Sequence, residues 1–196
     1  MPWEPDYADP DELATFVRVN ADNPYVATYG TAASRAVDGY CNRQFGQLDA
    51  PGTFVYDGCR AFPLNGRWLL HVDDLQNLTG LTVTVDGQAV SAGASGYQLW
   101  PRNAAAKGHV YTAISLASAP GDVDVSVFGR FGWNAVPAGA VGAVWLQVNR
   151  WNVRRESPYG TAGSPEDSSE VKLSAVLDPD VRTMLTGGLV RARMPR

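Results

Sequence analysis

The hydrophobic period of this chain changes twice, and that order constrains the fold more than any other feature. Asp9-Pro10-Asp11-Glu12 opens the first helical segment: Asp9 can cap, Pro10 suits the first helical position, and Glu12 stands where a capping-box acid belongs. Leu13, Phe16 and Val17 follow at i, i+3 and i+4. Asn23-Pro24 is a second start, and Val26, Tyr29, Ala33, Ala36, Val37 and Tyr40 form one apolar stripe, which predicts a helix over 24–44 ended by Gly46. The middle of the chain then alternates. Thr53–Tyr56, Trp68–Val72, Leu81–Val85, Gln88–Val90, Tyr97–Trp100, Tyr111–Leu116 and Val123–Phe128 read as strands, with Asp86-Gly87 as a hairpin turn. Helical period returns after Val136-Pro137, with Val141, Val144, Trp145, Val148 and Trp151 on one side and Arg154-Arg155 at the end. A loop over 157–169, a short strand over Val171–Val176 and a last helix after Asp178-Pro179-Asp180 complete the order.

The expected fold class is therefore α+β: a helical core of about four helices, split between residues 1–48 and 129–196, with residues 49–128 inserted as an antiparallel β-sandwich or barrel-like module. Trp145, Val148 and Trp151 are expected to pack on Val26, Tyr29, Ala33 and Val37, where small alanines permit close helix approach.

Composition excludes several classes. At 196 residues, 45% apolar and 18% charged, the chain can bury a core as one large domain or two small ones. No apolar run approaches the ~18 residues of a membrane-spanning helix, and the acidic, proline-broken start lacks the pattern of a secretory signal. Cys41 and Cys59 are too few for a disulfide framework or an all-cysteine zinc site. The net charge of −4 argues against a dedicated nucleic-acid binder. That charge is unevenly spread: −5 over residues 1–22, −1 over 23–149 and +2 over 150–196. An acidic head and a basic tail suit head-to-tail contacts between copies, although charge alone favours the plainer reading of a solvated surface with a frayed basic tail.

Catalytic chemistry is weakly represented. His71 and His109 are the only histidines, and His71-Val72-Asp73-Asp74 has no second ligand at metal-site spacing. Cys41 falls on the apolar side of the second helix, the place of a structural thiol. No nucleophile elbow, P-loop or dinucleotide fingerprint occurs. No catalytic, cofactor or metal residues are assigned. Trp68, Tyr97, Trp100 and Tyr111 could line a sugar-binding face of the β module or could be core aromatics.

Three stretches carry a resemblance. They are Phe128-Gly129-Arg130-Phe131-Gly132-Trp133-Asn134-Ala135-Val136-Pro137, the run from Arg150 through Arg154-Arg155 and Tyr159 to Gly163, and Leu177-Asp178-Pro179-Asp180-Val181. With the helix around Ala32–Phe45, they resemble the head-to-tail connector (adaptor, or head-completion) proteins of long-tailed double-stranded DNA bacteriophages. The likeness covers roughly residues 8–48 and 126–186 and leaves the β module out. It implies a structural virion protein at the head–tail interface, not an enzyme, assembled in the host cytoplasm. Such proteins form a homo-oligomeric ring, generally dodecameric, beneath the portal protein. The ring extends the DNA channel and offers a docking platform to a tail-side connector, stopper or terminator protein. DNA passes through the lumen without specific binding, and no membrane is involved.

A ring needs a heterologous contact, in which one surface meets a different surface of the neighbour. Asp11, Glu12, Arg154, Arg155 and Tyr159 are the residues assigned to it, although Arg154 and Arg155 also suit a plain helix C-terminus. Arg191, Arg193, Met194, Pro195 and Arg196 are assigned to portal docking, as charge around a small apolar anchor. The alternatives are another virion ring protein, such as a tail terminator, or a carbohydrate-binding module built on the β insertion.

Overall fold

The computed structural model describes residues 3–20, 22–156, 161–162, 171–172 and 177–191. The fold is α+β, and the chain divides into two compact units: residues 1–4 with 46–135, and residues 5–45 with 136–196.

The first unit is all β. Its strands are β1 (Gly52–Asp57), β2 (Phe62–Leu64), β3 (Arg67–Leu75), β4 (Asn77–Val85), β5 (Gln88–Val90), β6 (Tyr97–Trp100), β7 (Tyr111–Leu116) and β8 (Asp124–Arg130). They form two antiparallel sheets in the orders β1-β8-β4-β5 and β2-β3-β7-β6. Alternation decides which side chains turn inward. Val83, Val125 and Val127 from one sheet share a core with Leu70, Val72, Ile114, Leu116 and Tyr97 from the other. β2 is not expected from sequence, because Pro63 demotes its segment; the Asn65-Gly66 turn, with both residues at positive φ, folds it back on β3.

The unit begins at 46 and ends at 135, wider than the expected 49–128, because its two ends bond to each other. Leu48 N–H donates to the Phe131 carbonyl (2.9 Å) and Trp133 N–H to the Gly46 carbonyl (2.8 Å). The Gln47 amide donates to Asn134 Oδ1 (2.8 Å). Gly132 is required here: its φ is +107°, and a Cβ would lie 2.1 Å from the Gly46 oxygen. Phe131 is fully buried and stacks on Phe54 at 4.1 Å. The Trp133 indole donates to buried Asp74 Oδ2 at 2.9 Å. The Gly-Trp stretch therefore seams the β unit shut.

The second unit is built from α1 (Pro10–Val17), α2 (Pro24–Cys41), α3 (Ala138–Glu156) and α4 (Pro179–Leu185), with a short antiparallel pair β9 (Thr161–Ala162) and β10 (Val171–Lys172). α2 stops at Cys41 rather than at 44, because Asn42 takes the left-handed conformation (φ 52°) and ends the helix before Gly46. α3 buries Ala140, Ala143, Val144, Gln147, Val148 and Asn152, an i, i+3, i+4 stripe rotated from the one expected. Trp145 consequently meets Phe16 of α1 at 5.3 Å, while Trp151 reaches Tyr29 of α2 at 6.1 Å as expected. Asp178 caps α4 through the Asp180 N–H (3.1 Å), and Arg150 of α3 lies 3.4 Å from both Asp178 and Asp180.

Candidate assembly surface

The residues assigned to subunit contacts fall on two parts of the helical unit. At the start of α1, Asp9 Oδ1 accepts from the backbone N–H of Asp11 (2.9 Å) and Glu12 (3.3 Å). That cap uses the Asp9 side chain and leaves those of Asp11 and Glu12 exposed. The return half of the expected capping box does not form, since Glu12 makes no side-chain bond among the described residues. Neither acid has an ion pair among the described residues, so the positive end of the α1 dipole is their main electrostatic support.

Side chains of α2 hold the segment that leads into α1. Asp6 accepts from Thr31 Oγ1 (2.9 Å), and Tyr7 N–H donates to Ser34 Oγ (3.0 Å). The Tyr7 hydroxyl donates to Asp38 and accepts from Phe45 N–H at 2.8 Å. Arg35 bridges to Asp38 at 3.0 Å and lies over the Tyr7 ring. Burial, with Asp38 beside it, pushes the Tyr7 phenol far above its usual range. None of this is legible in sequence, because Tyr7 lies outside any periodic segment.

The second surface lies where the start of α2 meets the end of α3. Tyr25 is 51% exposed, and the Arg155 guanidinium sits over its ring at 4.8 Å. Tyr25 contacts Tyr29 at 6.2 Å, and Tyr29 meets Trp151 edge-on. Arg154 is half-buried one residue before Arg155. Tyr, Trp and Arg together are the composition of interface hot spots. Tyr25 carried no signal as part of the core stripe; its i, i+4 spacing from Tyr29 was the available clue. The segment leading into α1 is anchored at Thr31 and Ser34, about 9–14 Å along α2 from Tyr25. One unit thus presents an acidic surface and a separate aromatic-basic surface.

Of the portal-docking residues, Arg191 is described. Its backbone N–H donates to the Cys41 carbonyl (2.8 Å), closing the end of α2. Arg193, Met194, Pro195 and Arg196, like Tyr159, lie outside the described residues.

The remaining candidates have structural surroundings. Cys41 is fully buried, and burial pushes its thiol up to about 12. His71 lies 5.5 Å from the Phe62 ring, and Asp73 Oδ2 accepts from the Tyr56 hydroxyl (2.9 Å). Among the described residues no three His, Cys, Asp or Glu side chains gather as a metal site. The four aromatics do not share a face: Trp68 and Tyr97 share one register row through Leu116 and pack on the core, while Trp100 sits opposite Ala113 on the other side of that sheet. A shallow groove of about 530 Å³ beside β6 includes Tyr97, Tyr111 and Arg102 but neither tryptophan. No helix among the described residues is long and apolar enough to cross a membrane. No protein-family model matches the chain, and no curated protein matches it.

Proposed function

We propose that this chain is the subunit of a head-to-tail adaptor ring, seated beneath a phage portal and offering a platform to tail-side proteins. The observation that carries the reading is the pair of unlike surfaces on one helical unit: exposed Asp11 and Glu12 on α1, and Tyr25, Trp151 and Arg155 at the α2–α3 end. Repeated contact between unlike surfaces generates a ring when the rotation closes. The resemblance of the Gly-Trp-x-x-Val-Pro and Asp-Pro-Asp-Val stretches to connector proteins supplies the kind of ring. The net charge of −4 suits a channel that DNA slides through, since each added phosphate contact by Lys or Arg would retain it.

The test is to mix the purified chain with its portal protein and image the product by electron microscopy. A second ring stacked coaxially on the portal supports the reading. Absence of association at every salt concentration overturns it.

A further inference from the structure

Each sheet of the β unit has two edge strands: β1 and β5 in one, β2 and β6 in the other. An open edge is a template for another strand, and native sheets blunt it with proline, shortness or a covering loop. In an antiparallel pair successive residues turn their N–H and C=O alternately toward and away from the neighbour. The ladder bonds therefore identify the outward residues on every edge.

Three edges are blunted. On β2 the pair Leu64↔Arg67 closes the two-residue Asn65-Gly66 turn, so Pro63, which has no N–H, holds the outward position. On β6 the Ala117 N–H donates to the Gly96 carbonyl, which turns Tyr97 and Leu99 outward. Tyr97 is already taken up: its N–H donates to Ser91 O (3.0 Å) and its carbonyl accepts from Gly93 N–H (2.9 Å). That leaves Leu99 as the single open outward residue of β6, and Pro101, which has no N–H, follows the strand's end. β5 closes on Asp86-Gly87 and presents outward only Ala89.

β1 is different. Its register with β8 runs unbroken from Gly52↔Gly129 to Asp57↔Asp124 and continues into Gly58 N–H donating to Val123 O (2.9 Å). Gly58, Tyr56 and Phe54 therefore face β8, while Thr53, Val55 and Asp57 turn their backbone groups outward. The strand has six residues and no proline, and among the described residues no strand lies beyond it. Val55 is also the most exposed large apolar side chain described, at 58%.

We infer that the β1 edge closes against the β1 edge of a second copy, antiparallel and centred on Val55. The strand is self-complementary in that register. Val55 meets Val55 of the second copy, and Thr53 meets Asp57, so no like charges stand opposite each other. Asp57 is also neutralised by Arg60 at 2.8 Å within its own chain. Each outward residue then exchanges both backbone bonds with its opposite. The other edges of a second copy complement β1 poorly, since β5 and β6 each offer one open outward residue, Ala89 and Leu99, and β2 offers Pro63, which has no N–H. This contact is two-fold, unlike the head-to-tail contact of a ring, and it does not rest on the adaptor reading.

The test is sedimentation equilibrium of the full chain at loadings from about 5 to about 500 µM, with circular dichroism to confirm folding. The wild type is expected to associate as concentration rises. Val55→Pro removes an outward N–H without touching the β8 ladder, and Val55→Lys places a charge on the seam; each is expected to weaken the association at least tenfold. A second readout covers any variant that fails to fold. In a Cys59→Ser background, Val55→Cys is expected to cross-link to itself on oxidation, because directly bonded antiparallel residues stand about 5.5 Å apart at Cα. Thr53→Cys, which faces Asp57 of the second copy, is not. A wild type that stays monomeric throughout, or equal cross-linking by Val55→Cys and Thr53→Cys, overturns the inference.

Discussion

Replacing Tyr7 with Phe removes one oxygen from a place where two elements depend on it. The hydroxyl accepts from the N–H of Phe45, a fully buried residue, at 2.8 Å and donates to Asp38. Leaving a buried N–H without a partner costs about 1–3 kcal/mol. The bond to the Asp38 carboxylate is charge-assisted, but Asp38 keeps Arg35 at 3.0 Å, so its loss belongs near the low end of the ~1.5–3 kcal/mol range. The ring itself stays, 5.6 Å from Phe45 and at an edge-on angle, so apolar burial is unchanged. Together Tyr7→Phe is expected to destabilise the helical unit by about 2–4 kcal/mol. Urea unfolding followed by far-UV circular dichroism reads this directly, because the α-helices lie in that unit. The midpoint should fall with the slope unchanged. A loss under about 0.5 kcal/mol would refute the reasoning and mean that the Phe45 N–H finds another acceptor.

Alkaline pH gives a second check. Tyr7 and Cys41 both have raised values in the folded state, by burial first. For a raised group, stability is full below the unfolded value and lost as pH rises toward the folded one. Stability of the helical unit should therefore fall from about pH 9, where an unfolded thiol ionises, toward about 12, and Tyr7→Phe should remove the phenol's share above about pH 10. Cys59, exposed, should be alkylated by iodoacetamide in the native chain while Cys41 is not; modification of both without denaturant would contradict the burial. Gly132→Ala, with Cβ 2.1 Å from a backbone oxygen, should cost more than about 3 kcal/mol of β-unit stability. Gly39→Ala, in α2 with nothing near its Cβ, should add about 0.4–1 kcal/mol, measured by the same unfolding assay.

Elements with strong local signals were readable in the sequence. The Asp9, Asn23 and Asp178 starts all cap as their side chains suggest, and the alternating runs became strands because one face of each had a core to enter. Where tertiary partners decide, sequence was silent. β2 needed the Asn65-Gly66 turn to be weighed above Pro63. The buried face of α3 includes Gln147, which apolar periodicity does not pick out and which accepts from the Asp178 N–H (3.4 Å). Of the candidate surface, the charges at Asp11, Glu12, Arg154 and Arg155 were visible as charges. The packing of Trp151 on Tyr29 was also expected, but the seat of Arg155 on Tyr25 was not, because those two residues are far apart in sequence and meet only when the start of α2 lies beside the end of α3.

The proposed ring depends on the acidic turn of one subunit meeting the aromatic-basic end of the next, and charge reversal on the portal tests this most directly. Asp11→Lys with Glu12→Lys, and separately Arg154→Glu with Arg155→Glu, should each abolish ring formation on the portal while leaving the circular dichroism of the free chain unchanged. The chain carrying all four reversals should form rings again, because the attraction is restored with opposite sign. Rings formed by either pair of reversals alone, or no recovery in the combined chain, would contradict the account.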